Sequence, residues 1–100
     1  MPKCLITYVD HYEHTEEIIK TISEELEYQG YVVDVMEYDT LKHIVDYDLI
    51  LTIPYDRLFE IRLVNTQTGD VERISINTEE KYIKDWVRGC VLKSTGQVRF

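Results

Sequence analysis

A chain of 100 residues is the length of one domain, and it buries roughly two-thirds of its unfolded surface, enough for one core without metal or disulfide staples. Its 44% hydrophobic and 30% charged composition is that of a soluble globule, and no apolar run approaches the ~20 residues a bilayer crossing needs. A net charge of −8, with 19 acidic residues against 11 basic, argues against non-specific nucleic-acid binding and against an anionic membrane surface, since both depend on Lys and Arg neutralising phosphates.

The opening "MPKCLITYV" has one Lys, a short apolar run and no small-residue cleavage site, so it reads as a first strand rather than a signal peptide. The cytosol is the expected compartment. The strand is placed at Cys4 to Val9, rich in β-formers. A helix follows from Thr15 to Gln29, where Ile18, Ile19, Ile22 and Leu26 give the stripe of a helix packed on one side. Glu16 and Glu17 fall in its first turn, as the helix dipole favours, and Gly30 supplies a left-handed cap. Tyr31 to Tyr38 is the second strand. Asp39 or Thr40 caps a short second helix, with Leu41, Ile44 and Val45 turned inward.

The run "YDLILTIPY", Tyr47 to Tyr55, is ambiguous in direction and role. "FEIRLV", Phe59 to Val64, alternates at period two, "NTQTGD" is a turn, and "VERISI", Val71 to Ile76, returns as the second arm of a hairpin. Asn77, with Glu80 three residues on, starts a last helix. That helix carries Tyr82, Ile83, Trp86 and Val87 on one face and ends at Gly89. The remaining residues, 90–100, read as a small hairpin or an edge strand.

The order strand–helix–strand–helix, hairpin, helix resembles the thioredoxin/glutaredoxin-like family over roughly Lys3 to Gly89. The expected fold is therefore α/β, a β-α-β-α-β-β-α sandwich with a short C-terminal extension. The family places Cys-x-x-Cys between the first strand and first helix; here His11-Tyr12-Glu13-His14 stands there, with histidine at both cysteine positions. The family also has a cis-proline just before the hairpin and facing that motif, and "TIPY", with Ile53, Pro54 and Tyr55, matches its place. The first half also resembles flavodoxins, which makes a truncated βαβαβ unit plus hairpin the alternative. A strand over Asp48 to Ile53 parallel to the first favours that alternative. A strand after Pro54 antiparallel to the first favours the thioredoxin-like arrangement.

Dithiol exchange needs a thiolate and a resolving thiol, so the resemblance implies a copy without that activity. Cys4 lies inside the first strand, Cys90 is distant from it in sequence, and neither belongs to a Cys-x-x-Cys pair. The leading expectation is a redox-inactive protein-binding or regulatory module. Its groove is formed by His11, Tyr12, His14, Ile53, Pro54 and Tyr55, with the backbone of Ile53 pairing an extended partner as in the family.

No cofactor is expected. The alternative is an enzyme built on zinc or another metal at His11 and His14, with carboxylates Asp10, Glu13 and Glu17 nearby. Flavin is disfavoured, because the turn is acidic and lacks the glycines of a phosphate cradle. A third reading is an acidic inhibitor docking on a basic partner. Eight tyrosines, a high share for this length, fit half-buried strand and helix positions or an interface.

Overall fold

The computed structural model describes residues 2–8, 15–37, 46–53 and 60–94. The strands are β1 (Lys3–Tyr8), β2 (Val32–Glu37), β3 (Leu49–Ile53), β4 (Glu60–Asn65) and β5 (Val71–Ser75), and the helices are α1 (Thr15–Tyr28) and α2 (Glu80–Ser94). They form one five-stranded sheet in the order β2-β1-β3-β4-β5. β1 pairs in parallel with β2 on one side and β3 on the other, and β4 and β5 then continue antiparallel.

The period-two pattern of the strands explains the core. Cys4 and Ile6 of β1, Leu49, Leu51 and Ile53 of β3, and Ile61 and Leu63 of β4 are buried in one cluster. Ile18, Ile22 and Leu26 of α1, with Ile83, Val87, Cys90 and Val91 of α2, pack against them. The alternate residues of β1, Leu5 and Thr7, are just as buried on the opposite face. A parallel strand flanked by two parallel neighbours is covered on both sides, which is why β1 reads as a continuous apolar run.

Polar ties fix the strand starts. Asp48 accepts from the Lys3 backbone N–H at 2.8 Å and its own N–H donates to the Lys3 carbonyl at 2.9 Å. The Tyr47 hydroxyl donates to Asp34 Oδ2 at 2.6 Å, and that bond and burial push the phenol up to about 12. Thr66 Oγ1 donates to the Tyr47 carbonyl at 2.7 Å, fastening the β4–β5 turn to the entry of β3.

The α/β class stands, as does the succession of elements around α1 and the hairpin. The ambiguous run is a fifth strand, β3, parallel to β1 and lying between β1 and the hairpin. That is the direction expected of the flavodoxin-like alternative for the first three strands, while β4, antiparallel to β3 and therefore to β1, has the direction expected of the thioredoxin-like arrangement. The anticipated second helix and the isomer of the Ile53–Pro54 bond lie outside the described residues.

The last helix departs from expectation at both ends. It begins at Glu80, with the Glu79 carbonyl accepting from Tyr82 and Ile83, while Asn77 sits earlier in the turn with its N–H on Ser75 Oγ. It also runs through Gly89 to Ser94, so residues 90–94 are helical, not hairpin or edge strand. Cys90 and Val91 continue the Ile83–Val87 stripe, and their burial outweighs the glycine's preference for ending a helix. Tyr82 faces outward at 51% exposure instead of joining that stripe.

Candidate functional site

The order β2-β1-β3 creates a switch point: the chain steps from β1 to one neighbour and returns to the other. In open α/β sheets, ligands bind outside the carboxyl ends of the strands at such a point. The carboxyl ends of β1 and β3 are adjacent here, with Tyr8 opposite Ile53 and Thr7 opposite Thr52. The chain leaves β1 towards His11, Tyr12 and His14 and leaves β3 towards Pro54 and Tyr55 from neighbouring positions. The two sequence-selected segments thus start side by side, although those five residues lie outside the described residues.

Ile53 is described: its side chain is fully buried in the core, which leaves its backbone as the part that can meet a partner. Apolar character at β3 position five serves packing first.

The N-terminus of α1 opens at the same end. Thr15 is 2% exposed and its hydroxyl has no partner among the described residues; Thr7, 1% exposed near the end of β1, is in the same state. These two hydroxyls were missed in the sequence, although the alternation of "CLITY" sets Thr7 apart from Ile6 and marks it for the second face. Glu16 and Glu17 place negative charge on the first turn and oppose an anion there. A recess of about 260 Å³ lies between α1 and the sheet, lined by Tyr8, Thr15, Glu16, Ile19, Lys20 and Val35.

Both cysteines are buried. Burial pushes the Cys4 thiol up to about 12, and burial with the nearby Glu72 carboxylate pushes Cys90 up to about 11. Both are free thiols in the core. The one buried carboxylate of α1, Glu25, is held by Arg88 at 3.2 Å and Gln29 at 2.8 Å, a structural clamp between the helices. Among the described residues no three His, Cys, Asp or Glu groups converge on a metal position, and His11 and His14 lie outside them. No described helix is long and apolar enough to cross a membrane.

The tyrosines divide. Tyr31 and Tyr47 are buried and Tyr8 packs half-buried on the core, whereas Tyr28 is 83% exposed. Packing accounts for the first three and leaves Tyr28 on the surface.

Fold and switch point together define a small mixed-sheet α/β protein with a candidate ligand edge at the carboxyl ends of β1 and β3. No protein-family model and no curated protein matches the sequence. Solved structures do match. A prolyl-tRNA synthetase from Cryptosporidium parvum complexed with L-proline and AMP superposes with a TM-score of 0.54 at 14% identity, over 96% of this chain and 24% of that one. The same enzyme complexed with halofuginone and AMPPNP gives 0.53 at 14% identity, over 97% of this chain and 22% of that one. The chain spans about a quarter of those synthetases, and the likeness is one of fold.

Proposed function

We propose that this chain is a cytosolic, non-catalytic protein-binding or regulatory module, redox-inactive and related to thioredoxin-like proteins by its order of elements. Its binding groove is the junction where His11, Tyr12 and His14 follow β1 and Pro54 and Tyr55 follow β3. The observation that carries the reading is the pairing of Tyr8 with Ile53, which starts both segments at one edge of the sheet. Two thiols raised to about 12 and 11 support the redox-inactive part, because neither yields a thiolate near neutral pH.

Purified protein added to insulin and dithiothreitol should leave the rate of disulfide reduction at the buffer value. Reduction at enzymatic rates would overturn the reading. The reading also assigns no metal to the junction. Stoichiometric zinc that is lost in a His11→Ala/His14→Ala variant would replace it with a metal-dependent enzyme. The synthetases of similar fold act, by their name, on tRNA, but a net charge of −8 opposes a phosphate backbone here. Retention of unfractionated tRNA at about 150 mM salt, a concentration at which surface charges are screened beyond about 8 Å, would favour a specific RNA site instead.

A further inference from the structure

Among the described residues β2 has a neighbour on one side only. Its six residues, "VVDVME", run in unbroken register with β1 and contain no proline, glycine or bulge. Natural edge strands are normally blunted by such features or by charged side chains, and of these β2 has only the charges of Asp34 and Glu37. The opposite edge, β5, contrasts: it carries Arg73, and its Glu72 is clamped by Lys93 at 2.7 Å.

The hydrogen-bond direction along β2 follows from one contact. The Val32 N–H donates to the Pro2 carbonyl at 2.9 Å, so Val32 bonds towards β1. Alternation then turns the N–H and C=O of Val33 and Val35 outward. Val35 stands opposite Ile6, on the helix-covered face of the sheet, and its side chain lines the recess with Tyr8, Ile19 and Glu16. One residue therefore presents both an outward backbone pair and the wall of a side-chain recess.

We propose that the outer edge of β2 receives an extended, Lys/Arg-rich peptide segment as a sixth strand, with an apolar side chain of that segment seated in the recess between β2 and α1. In strand addition, backbone bonds supply affinity and recesses for alternate side chains supply specificity. A strand laid about 4.8 Å outside β2 places every second side chain over the recess. Charge selects the occupant. β2 carries Asp34 and Glu37 and no cation, Glu16 and Lys20 both flank the recess, and the chain as a whole bears −8. A second copy would bring two acidic edges together, whereas a basic segment neutralises one. The recess shares Tyr8 and Thr15 with the start of the groove proposed above, but the outer edge of β2 does not belong to that groove, so the two are read at different amides.

The probe is an acetylated, amidated heptapeptide alternating Lys or Arg with Val or Ile, titrated into the full chain and followed by amide resonances and hydrogen exchange. The basic peptide should shift and protect the Val33 and Val35 amides, and its Glu counterpart should not. Val35→Pro removes an outward N–H that β1 does not use, a place where an edge strand tolerates proline. It should weaken binding about tenfold or more, the scale of losing one or two backbone bonds. If that variant does not fold, N-methylation of alternate peptide amides should give the same loss on the unmodified protein. Equal binding of the Glu peptide, shifts confined to residues around Ile53, or no binding at millimolar peptide would overturn the proposal. So would a protein dimer in sedimentation with β2 amides already protected.

Discussion

Glu25 illustrates how a single side chain is decided by its neighbours. It is 6% exposed on the buried side of α1, where an unpaired carboxylate would be costly. Burial pushes its pKa up, but the Gln29 hydrogen bond and the Arg88 guanidinium outweigh burial and hold the carboxyl below its ordinary value. A carboxyl lowered in the folded state stabilises above its unfolded pKa of about 4.3, and that contribution is lost as pH falls through the folded value. Glu25→Gln should therefore have a lower urea midpoint than the parent at pH 7, with the gap closing towards pH 3. A gap that stays constant with pH would mean the clamp is not ionic. The spacing of Glu25 from Ile18 and Ile22 puts it beside the apolar stripe, unlike exposed Glu24, but the sequence does not name its partner. Arg88 lies 63 residues away, and only packing of α2 on α1 brings it near.

At the scale of elements, α1 and its exit were legible because every signal in them is local. The Ile18–Ile22–Leu26 stripe, the acidic first turn and Gly30 all act within a few residues. The exit is a Schellman turn: the Tyr31 N–H donates to the Leu26 carbonyl at 3.0 Å and the Gly30 N–H to Glu27 at 3.0 Å, with Tyr31 and Leu26 sharing the core. Gly30 has φ +94° with no atom within 4 Å of an added Cβ, so a side chain there meets backbone strain but no clash. Gly30→Ala should lower unfolding free energy by about 1–2 kcal/mol, read from urea melts; an unchanged midpoint would refute the strain argument. Gly89 was misleading for the opposite reason. It sits within α2, whose Cys90 and Val91 find a core that the local pattern does not announce.

For the whole molecule, the sheet order places β1 and β3 in the interior and β2 at an edge. Leu51 is fully buried on β3 beneath the helices, so Leu51→Ala should cost about 2–5 kcal/mol. Val71, 43% exposed on the outer β5, should cost no more than about 0.5 kcal/mol when cut to alanine. Chemical denaturation of the two variants tests this ranking, and comparable losses would contradict the observed order of strands. The same order carries the candidate site. Tyr8 and Ile53 are 45 positions apart, and they meet because the chain crosses β1 on its return from β2.

The α/β class, the hairpin, the helix α1 with its glycine cap, and the absence of a Cys-x-x-Cys pair were all legible in the chain before folding. Each rests on periodicity or spacing within about ten residues, where local sterics and burial dominate. Long-range packing was needed to settle that Leu49–Ile53 runs parallel to β1, that Ile53 is core, that Glu25 is clamped by Arg88, and that β2 is, among the described residues, an edge beside a recess. Strand direction and edge position depend on which distant segments share hydrogen bonds, and a mostly apolar run of five residues looks the same in either direction.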